Sequence, residues 1–314
     1  MKNPLLGWSV SQADITLTGI DLRRPECVLA ERNGNLWCAD IRGGVLQIRP
    51  DGTQHVIVPK NGGGPFAPAV AEPSLDADEF FSLPNGLCFD EHGDFIICNF
   101  GTNRVEHLTR HGQYSLLLDS IDGMPIGKTN FPALDSHGRL WFSVTASLEN
   151  WRSRAATGSV KPDGYIAVLE SGRAKIVASG FRGTNEIRFD ENEEWLYVAE
   201  TGGDHMTRLR VGADATLSGR EVFGPERLGG GPDGFAFDSF GNLWVTLISS
   251  NRLVAITPQG ESFTIWEDGD LAVKLPFLER ERNSRKEMHR VAPGLLAPRM
   301  ASVTFGGPDL CTVY

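Results

Sequence analysis

The chain has 314 residues, 40% hydrophobic and 22% charged, which is typical of a soluble globular protein. Its formal net charge of -10 argues against nucleic acid or an anionic membrane as a partner, because both repel an acidic surface. The N-terminal residues lack the apolar core of a signal peptide, and no apolar run reaches transmembrane length. The five cysteines contain no C-x-x-C pair, which favours free thiols in a reducing compartment. We therefore expect a cytoplasmic protein.

Short strand-like runs separated by turns fill most of the chain. The first run, WSVSQADITLTG at residues 8–19, has no repeat unit of its own. The first full unit follows as PECVLAER, NLWCADI and VLQIRPDG, and similar units recur at a spacing of roughly 55 residues. The turns between the first two runs of each unit fall near Gly34, Gly93, Gly138, Glu193, Gly241 and Pro308.

Each unit is predicted to form a small sheet with two apolar faces, which can be buried only against neighbouring units. A closed ring buries all of these faces, so the repeats predict an all-β fold. The prediction is a six-bladed β-propeller with four-stranded blades, forming one domain over residues 1–314. The sixth unit, which ends at Tyr314, is short of outer strands. We expect residues 8–19 to complete it and close the ring, the alternative being a loose N-terminal arm.

Two segments interrupt the repeats. Residues 59–83 are rich in glycine and proline and predict a long loop. Residues 266–299 are charged and predict a helical insertion, which could cover a site or simply be solvated.

A polar oxygen donor recurs at one position of five units, and the sixth unit has Ala301 there. The five donors are Glu26, Asn85, Asn130, Asn185 and Asp233. Because the first strand of a propeller blade is innermost, these side chains should meet at one mouth of the central channel. The alternative is that PNG and PDG, at residues 84–86 and 232–234, are ordinary turns. Five donors in one register favour a site for a hard divalent cation.

Several of these segments resemble one known family. The segments PECVLAERNGNLWCADI, TNEIRFDENEEWLYVAETG, GPDGFAFDSFGNLWVTLISSNRLVAITPQG and FGGPDLCTVY are similar to the SMP-30/gluconolactonase/luciferin-regenerating-enzyme family. The resemblance extends from about residue 20 to the end of the chain. It implies a six-bladed propeller and a lactonase that uses one divalent metal, most often calcium, with zinc, manganese, magnesium or iron(II) as alternatives.

The resemblance also implies roles for individual residues. Glu26, Asn185 and Asp233 would hold the metal, and Asn85 and Asn130 would contact the substrate. Lys128 falls where relatives can carry a basic substrate contact. In the expected reaction, a metal-polarised lactone carbonyl is attacked by water, and Asp233 is the preferred general base.

The chain departs from the family pattern in the third unit, at Asn130-Phe131 and at WFSVTAS, residues 141–147. The segment that follows, LENWRSRAATG, predicts a loop whose Trp151, Arg152 and Arg154 could face an anionic or ring-bearing substrate, or only solvent. His205 could likewise face the mouth as an acid or a substrate contact, or lie on the surface.

Two other function classes remain open. A metal-containing propeller can host chemistry other than lactone hydrolysis, because fold does not fix function. A propeller can also bind a protein or ligand without catalysis. We expect a small-molecule substrate, with assembly into a homo-oligomer left open.

Overall fold

The structure is a computed structural model that describes residues 3–5, 7–60, 82–157, 161–269, 296–297 and 299–314. These residues form five four-stranded antiparallel sheets and two sheets of two strands. In every four-stranded sheet the strands are hydrogen-bonded in chain order, so each sheet is a β-meander. Among the described residues, no helix is both long and apolar enough to span a membrane.

The strands divide into blades as follows. The first blade contains β1 (Val28–Ala30), β2 (Leu36–Asp40), β3 (Gly44–Ile48) and β4 (Gln54–Ile57). The second contains β5 (Pro84–Phe89), β6 (Phe95–Asn99), β7 (Arg104–Leu108) and β8 (Tyr114–Leu118), followed by the short pair β9 (Ser120–Ile121) and β10 (Met124–Pro125). The third contains β11 (Thr129–Leu134), β12 (Leu140–Val144), β13 (Gly164–Glu170) and β14 (Arg173–Phe181), with helix α1 (Leu148–Thr157) after β12.

The remaining elements complete the ring. The fourth blade contains β15 (Thr184–Phe189), β16 (Trp195–Glu200), β17 (His205–Val211) and β18 (Leu217–Phe223). The fifth contains β19 (Pro232–Phe237), β20 (Leu243–Leu247), β21 (Arg252–Ile256) and β22 (Ser262–Glu267). The last sheet pairs β23 (Phe305–Gly306) with β24 (Thr312–Val313).

The predicted turn residues sit where the backbone needs a left-handed conformation. Gly34, Gly93, Gly138 and Gly241 have φ between 75° and 87°, and Glu193 takes the same place with φ 54°. Each of these residues donates its N–H to the carbonyl three residues earlier, which closes the hairpin between the first and second strands of its blade. The repeat spacing in the sequence is therefore the spacing of these hairpins.

The first strands of successive blades lie side by side around the centre. Strand β5 packs against β1 and β11, β11 packs against β15, and β15 packs against β19. The second strands β2, β6, β12 and β20 are buried along their whole length. Aromatic rings such as Trp37 and Phe95, 4.9 Å apart, fill the space between neighbouring blades. Burial of both faces of each sheet thus accounts for the ring arrangement.

The sheet of β23 and β24 fills the sector between the fifth blade and the first. Phe305 packs against Trp244 of the fifth blade with ring centroids 5.4 Å apart. On the other side, Val28 N–H donates to Ser302 Oγ at 3.3 Å, and Tyr314 packs on the core of the first blade. The all-β propeller with four-stranded blades is confirmed in five sectors, and this sector shows two strands among the described residues.

Two expectations about local structure are wrong. Residues 8–19 form no closing strand but contain a 3₁₀ helix at Gln12–Asp14, where Ser11 N–H donates to Asp14 Oδ2 at 2.9 Å. Val10 N–H donates to Ile265 O at 3.1 Å, so this segment is attached to the outer strand of the fifth blade. The segment expected to be a loop after β12 is helix α1, because Ser147 Oγ accepts the Asn150 N–H in its first turn.

The two predicted insertions lie largely outside the described residues, which omit 61–81, 270–295 and 298. The five cysteines are free thiols, as expected. Cys27 is buried beside the channel and exchanges hydrogen bonds with the backbone of Leu87, whose N–H lies 3.4 Å from its Sγ. Burial raises the pKa of the Cys27 thiol well above its usual value, which favours a packing role over reactivity.

Candidate active site

The oxygen donors predicted from the repeats gather at one mouth of the channel. Asn85, Asn130, Asn185 and Asp233 are each the second residue of the innermost strand of their blade. Asn85 Nδ2 lies 3.3 Å from Asn130 Oδ1 of the next blade, and Asn185 Nδ2 donates to Asp233 Oδ1 of the next. Glu26 Oε2 lies 3.6 Å from Arg24 Nη2, which donates to Asn85 Oδ1 at 2.8 Å. These contacts bring the amides and the carboxylate together in pairs across neighbouring blades, and the roles predicted for the side chains stay predictions.

A register irregularity marks the same place in four innermost strands. Pairing shifts between residues 84 and 87, 129 and 132, 184 and 187, and 232 and 235. A β-bulge releases residues from the regular ladder and re-aims their side chains. The bulges therefore present the four donors to the channel mouth.

PNG and PDG are not turns, so the turn interpretation is wrong. They begin β5 and β19, and their glycines are needed for close approach of the neighbouring unit. A Cβ on Gly86 would lie 2.5 Å from Asn130 O, and one on Gly234 would lie 2.5 Å from Ala301 O.

Two threonines orient the amides of Asn130 and Asn185. Asn130 Nδ2 donates to Thr145 Oγ1 at 3.1 Å, and Asn185 Nδ2 donates to Thr201 Oγ1 at 3.1 Å. Each threonine hydroxyl donates in turn to a backbone carbonyl of the next blade, at 2.8 and 2.7 Å. In Asn185, whose amide N–H groups are donated to Thr201 and Asp233, the carbonyl oxygen remains as the acceptor. Sequence reasoning missed both threonines, although each directly follows the second strand of its blade.

Asp233 is a buried carboxylate with one unpartnered oxygen. Its Oδ1 accepts from Asn185, whereas its Oδ2 has no hydrogen-bond partner among the described residues. Burial, and then the charges of Glu26 and Glu186, raise the pKa of Asp233 well above its usual value, against opposing effects of Arg24 and Asn185. A buried oxygen without a partner is costly unless a cation or proton satisfies it.

This donor set fits a divalent metal ion. Glu26 and Asp233 provide two carboxylates and Asn185 provides an amide carbonyl, which are ligands that hard cations prefer. The unpartnered Asp233 Oδ2 is the structural observation that supports the fit.

A second buried carboxylate lies one residue deeper than this ring. Glu186 accepts hydrogen bonds from Ser302 Oγ at 2.9 Å, from Phe235 N–H at 3.2 Å and from Arg188 at 3.0 Å. Its oxygens are thus engaged, and they link the fourth blade to the fifth and to the sixth sector.

Lys128 and Trp151 come together on the third-blade side of the mouth. Lys128 Nζ donates to Phe100 O at 3.2 Å and lies 5.2 Å from the centre of the Phe100 ring. Trp151, on α1, packs edge-on against Phe100 at 5.0 Å. These three residues form a cationic and aromatic cluster, and Lys128 stands two residues before Asn130 in the chain. A contact of Lys128 or Trp151 with the substrate stays a prediction. Arg152 lies on the same helix, and the side chain of Arg154 is outside the described part of the structure.

His205 belongs to a different network. Its Nε2 lies 3.4 Å from Glu200 Oε1, and Glu200 also accepts from Thr207 and Arg220 at 2.6 and 2.7 Å. Burial raises the pKa of Glu200, but hydrogen bonds from His205, Thr207 and the Arg182 N–H outweigh it and bring the pKa to about 2. The recorded contacts tie His205 to the second and third strands of the fourth blade, and its role in substrate binding stays a prediction.

Arg24 was also missed by sequence reasoning, since it lies outside the repeat register. Its Nη2 donates to Asn85 Oδ1 at 2.8 Å and lies 3.6 Å from Glu26 Oε2. Arg24 therefore joins the amide side of the mouth to the carboxylate side.

Two other anion or cation motifs are explained by internal contacts. The glycines at 229–231 donate their N–H groups to Asp204 Oδ1 at 2.9 to 3.0 Å, so this loop surrounds a carboxylate of the chain itself. Asp90, Asp94 and His107 also cluster, beyond the far end of β5. There Asp90 Oδ2 lies 2.8 Å from His107 Nε2, and Asp94 Oδ1 accepts the Arg110 N–H.

Comparison with known proteins agrees with this architecture. The chain is 25% identical over 238 residues to a 6-deoxy-6-sulfogluconolactonase of Pseudomonas putida, covering 74% of this chain and 69% of that protein. A gluconolactonase of Xanthomonas campestris superposes with TM-score 0.61 at 20% identity, covering 91% of this chain and 81% of its own. A calcium-binding protein, regucalcin, from Agrobacterium tumefaciens also superposes with TM-score 0.61 at 16% identity, covering 92% and 80%.

The family assignment rests on a family model that matches more than half of the chain. Residues 24–269 match the family described as SMP-30/Gluconolactonase/LRE-like region. This span includes the five oxygen donors and all five of the four-stranded blades. The chain therefore belongs to the SMP-30/gluconolactonase/LRE-like family.

Proposed function

We propose that this protein is a divalent-metal-dependent lactonase that opens a sugar-acid lactone or a related cyclic ester. The observation that carries the proposal is the buried, unpartnered Asp233 Oδ2 beside Glu26 and Asn185. The distant lactonases among the relatives support the same reaction class.

Glu26, Asn185 and Asp233 would hold the ion, and calcium is our first choice because all three offer oxygen ligands. When bound, the ion supplies Lewis-acid polarisation of the lactone carbonyl. The regucalcin of similar fold is a calcium-binding protein, which supports calcium as the first choice.

The side chains of the mouth divide the remaining work. Asp233 accepts a proton from the attacking water as the water oxygen bonds to the carbonyl carbon. It then returns that proton to the ring oxygen, which leaves as a hydroxyl when the carbon–oxygen bond of the ring breaks. Asn85 and Asn130 bind ring hydroxyls, since their amides lie together on the second and third blades. Lys128 and Trp151 lie together and would contact the substrate on the side of α1. We also propose His205 as a more distant substrate contact.

A lactone panel tests this proposal. Purified protein is stripped with a chelator, reloaded with calcium, zinc, manganese, magnesium or iron(II), and assayed by proton release in a pH-indicator mixture. We expect turnover of one lactone class and loss of turnover on stripping. Metal analysis and melting with and without chelator accompany the assay, and the absence of both turnover and bound metal would favour a non-enzymatic binding propeller.

The ring and its setting carry proposals of their own. We propose that the ring has six blades in one domain, because β23 and β24 lie between the fifth blade and the first. We also propose a cytoplasmic location and a small-molecule substrate, on the basis of the composition.

A further inference from the structure

Arg24 occupies the mouth in a backbone conformation that ordinary residues avoid. Its φ is 52°, and Cys27, on the other side of Glu26, has φ 58°. Left-handed backbone at residues other than glycine costs free energy and is found preferentially at functional sites. This short segment therefore holds Glu26 and Arg24 together at the channel mouth against a local cost.

The guanidinium of Arg24 is fixed in place but only partly used. Nη1 donates to Pro84 O at 3.1 Å and Nη2 donates to Asn85 Oδ1 at 2.8 Å. A guanidinium has five N–H donors, so these two bonds leave capacity for a ligand. The side chain of Arg24 is 26% exposed, which gives a ligand in the mouth access to it.

The charges of the mouth favour an anion once a metal is present. A divalent ion would balance Glu26 and Asp233, and the positive charge of Arg24 would then be in excess. A mouth with excess positive charge in an acidic protein attracts a negatively charged substrate.

We propose that Arg24 binds an anionic group of the substrate, a carboxylate or sulfonate remote from the lactone carbonyl. The preferred substrate is then an anionic lactone rather than a neutral one. The planar fork of arginine suits both groups, because each presents paired oxygens. This inference rests on the proposed lactonase function, and Arg24 acts as a specificity residue within it.

The kinetic test compares lactones that differ in charge. Glucaro-1,4-lactone, which carries a free carboxylate, and a lactone with a 6-sulfonate are compared with neutral gluconolactone. We expect Arg24→Gln to reduce kcat/KM for the anionic lactones by roughly 10- to 100-fold, mainly through KM. The neutral lactone should also lose some kcat/KM, because Arg24 holds Asn85, but its loss should be roughly 5-fold smaller than that of the anionic lactones. Arg24→Lys should retain part of the discrimination.

Arg23→Gln is the matched control, because Arg23 is an exposed neighbour that pairs with Asp21. It removes the same charge from the same segment and should leave the discrimination unchanged. An equal loss on neutral and anionic lactones in Arg24→Gln would show that Arg24 only positions Glu26 and Asn85, and would overturn the inference.

A binding measurement separates this inference from the proposed function. Calorimetric titration compares glucarate, with two carboxylates, and gluconate, with one, on metal-loaded and stripped protein. We expect the second carboxylate to strengthen binding to the metal-loaded wild type and not to Arg24→Gln. If the protein prefers glucarate but turns over no lactone, the lactonase proposal is refuted and the anion site is retained. If it turns over lactones without preferring glucarate, the anion site is refuted and the lactonase proposal is retained.

Discussion

Thr201 Oγ1 accepts the side-chain amide of Asn185 at 3.1 Å and so fixes the direction in which the Asn185 carbonyl points. The same hydroxyl donates to Pro232 O at 2.7 Å, next to Asp233. One hydroxyl thus couples the orientation of a proposed metal ligand to the backbone that carries another.

Thr201→Val should weaken metal binding by roughly 10- to 100-fold, because residues that orient metal ligands typically contribute this much. Valine has nearly the same shape, so the fold should survive. Calorimetric titration of calcium into stripped protein measures the effect. Thr201→Ser keeps the hydroxyl and should bind nearly as wild type, and equal affinity in the valine variant would contradict an orienting role.

Asp233→Asn should abolish metal-induced stabilisation and lactone turnover together. It should also stabilise the stripped protein at pH values above the raised pKa of Asp233, where the carboxyl is charged and its Oδ2 has no partner. Melting curves of both proteins, with chelator and with calcium, measure both effects. A stripped variant less stable than stripped wild type would contradict the cost assigned to this carboxylate.

The stability of the stripped wild type should depend on pH through Asp233. Its pKa is raised in the folded state, so folding favours the protonated form. This stabilisation is present below the ordinary carboxyl pKa and is lost as pH rises through the raised folded value. Denaturant titrations across this range should show the loss in stripped wild type, whereas Asp233→Asn should lack that component of the pH dependence.

Glu200 should give the stability a pH dependence opposite in sign to that of Asp233. Its folded pKa of about 2 lies below its ordinary 4.5, so its stabilising contribution is present above pH 4.5 and is lost towards pH 2. Glu200→Gln should reduce the free energy of unfolding at pH 7 by an amount on the order of 3 kcal/mol. The difference from wild type should shrink between pH 4.5 and 2.

The control for Glu200 is Glu221→Gln, which removes a half-exposed carboxylate paired with Arg208. Exposed pairs contribute at most about 1 kcal/mol, so this variant should stay close to wild type. Equal destabilisation by the two substitutions would contradict a special role for the buried network.

Gly86→Ala should destabilise the protein by about 1–3 kcal/mol, because the new Cβ meets backbone atoms of the next blade. It should also reduce turnover, since Asn130 is one of the residues displaced. Gly123→Ala, where nothing lies within 4 Å, gives the cost of left-handed backbone alone, about 1 kcal/mol. Denaturant titration compares the two, and a free-energy loss for Gly86→Ala no larger than that for Gly123→Ala would contradict the close-approach explanation.

The sequence by itself determined the repeat, the hairpins and the ring of donors. These features are local and periodic. Gly34 and its equivalents need a left-handed φ. Asn85, Asn130, Asn185 and Asp233 each stand at the second position of the innermost strand of their blade. The tertiary structure alone decided which residues surround the donors. Arg24 reaches Asn85 across 61 positions of sequence, and Ser302 reaches Glu186 across 116, and no periodic pattern encodes such contacts. The course of residues 8–19 was predicted wrongly for the same reason. Where this segment lies depends on which sheet edge the closed ring presents to it. In the structure, Val10 bonds to Ile265 at the edge of the fifth blade.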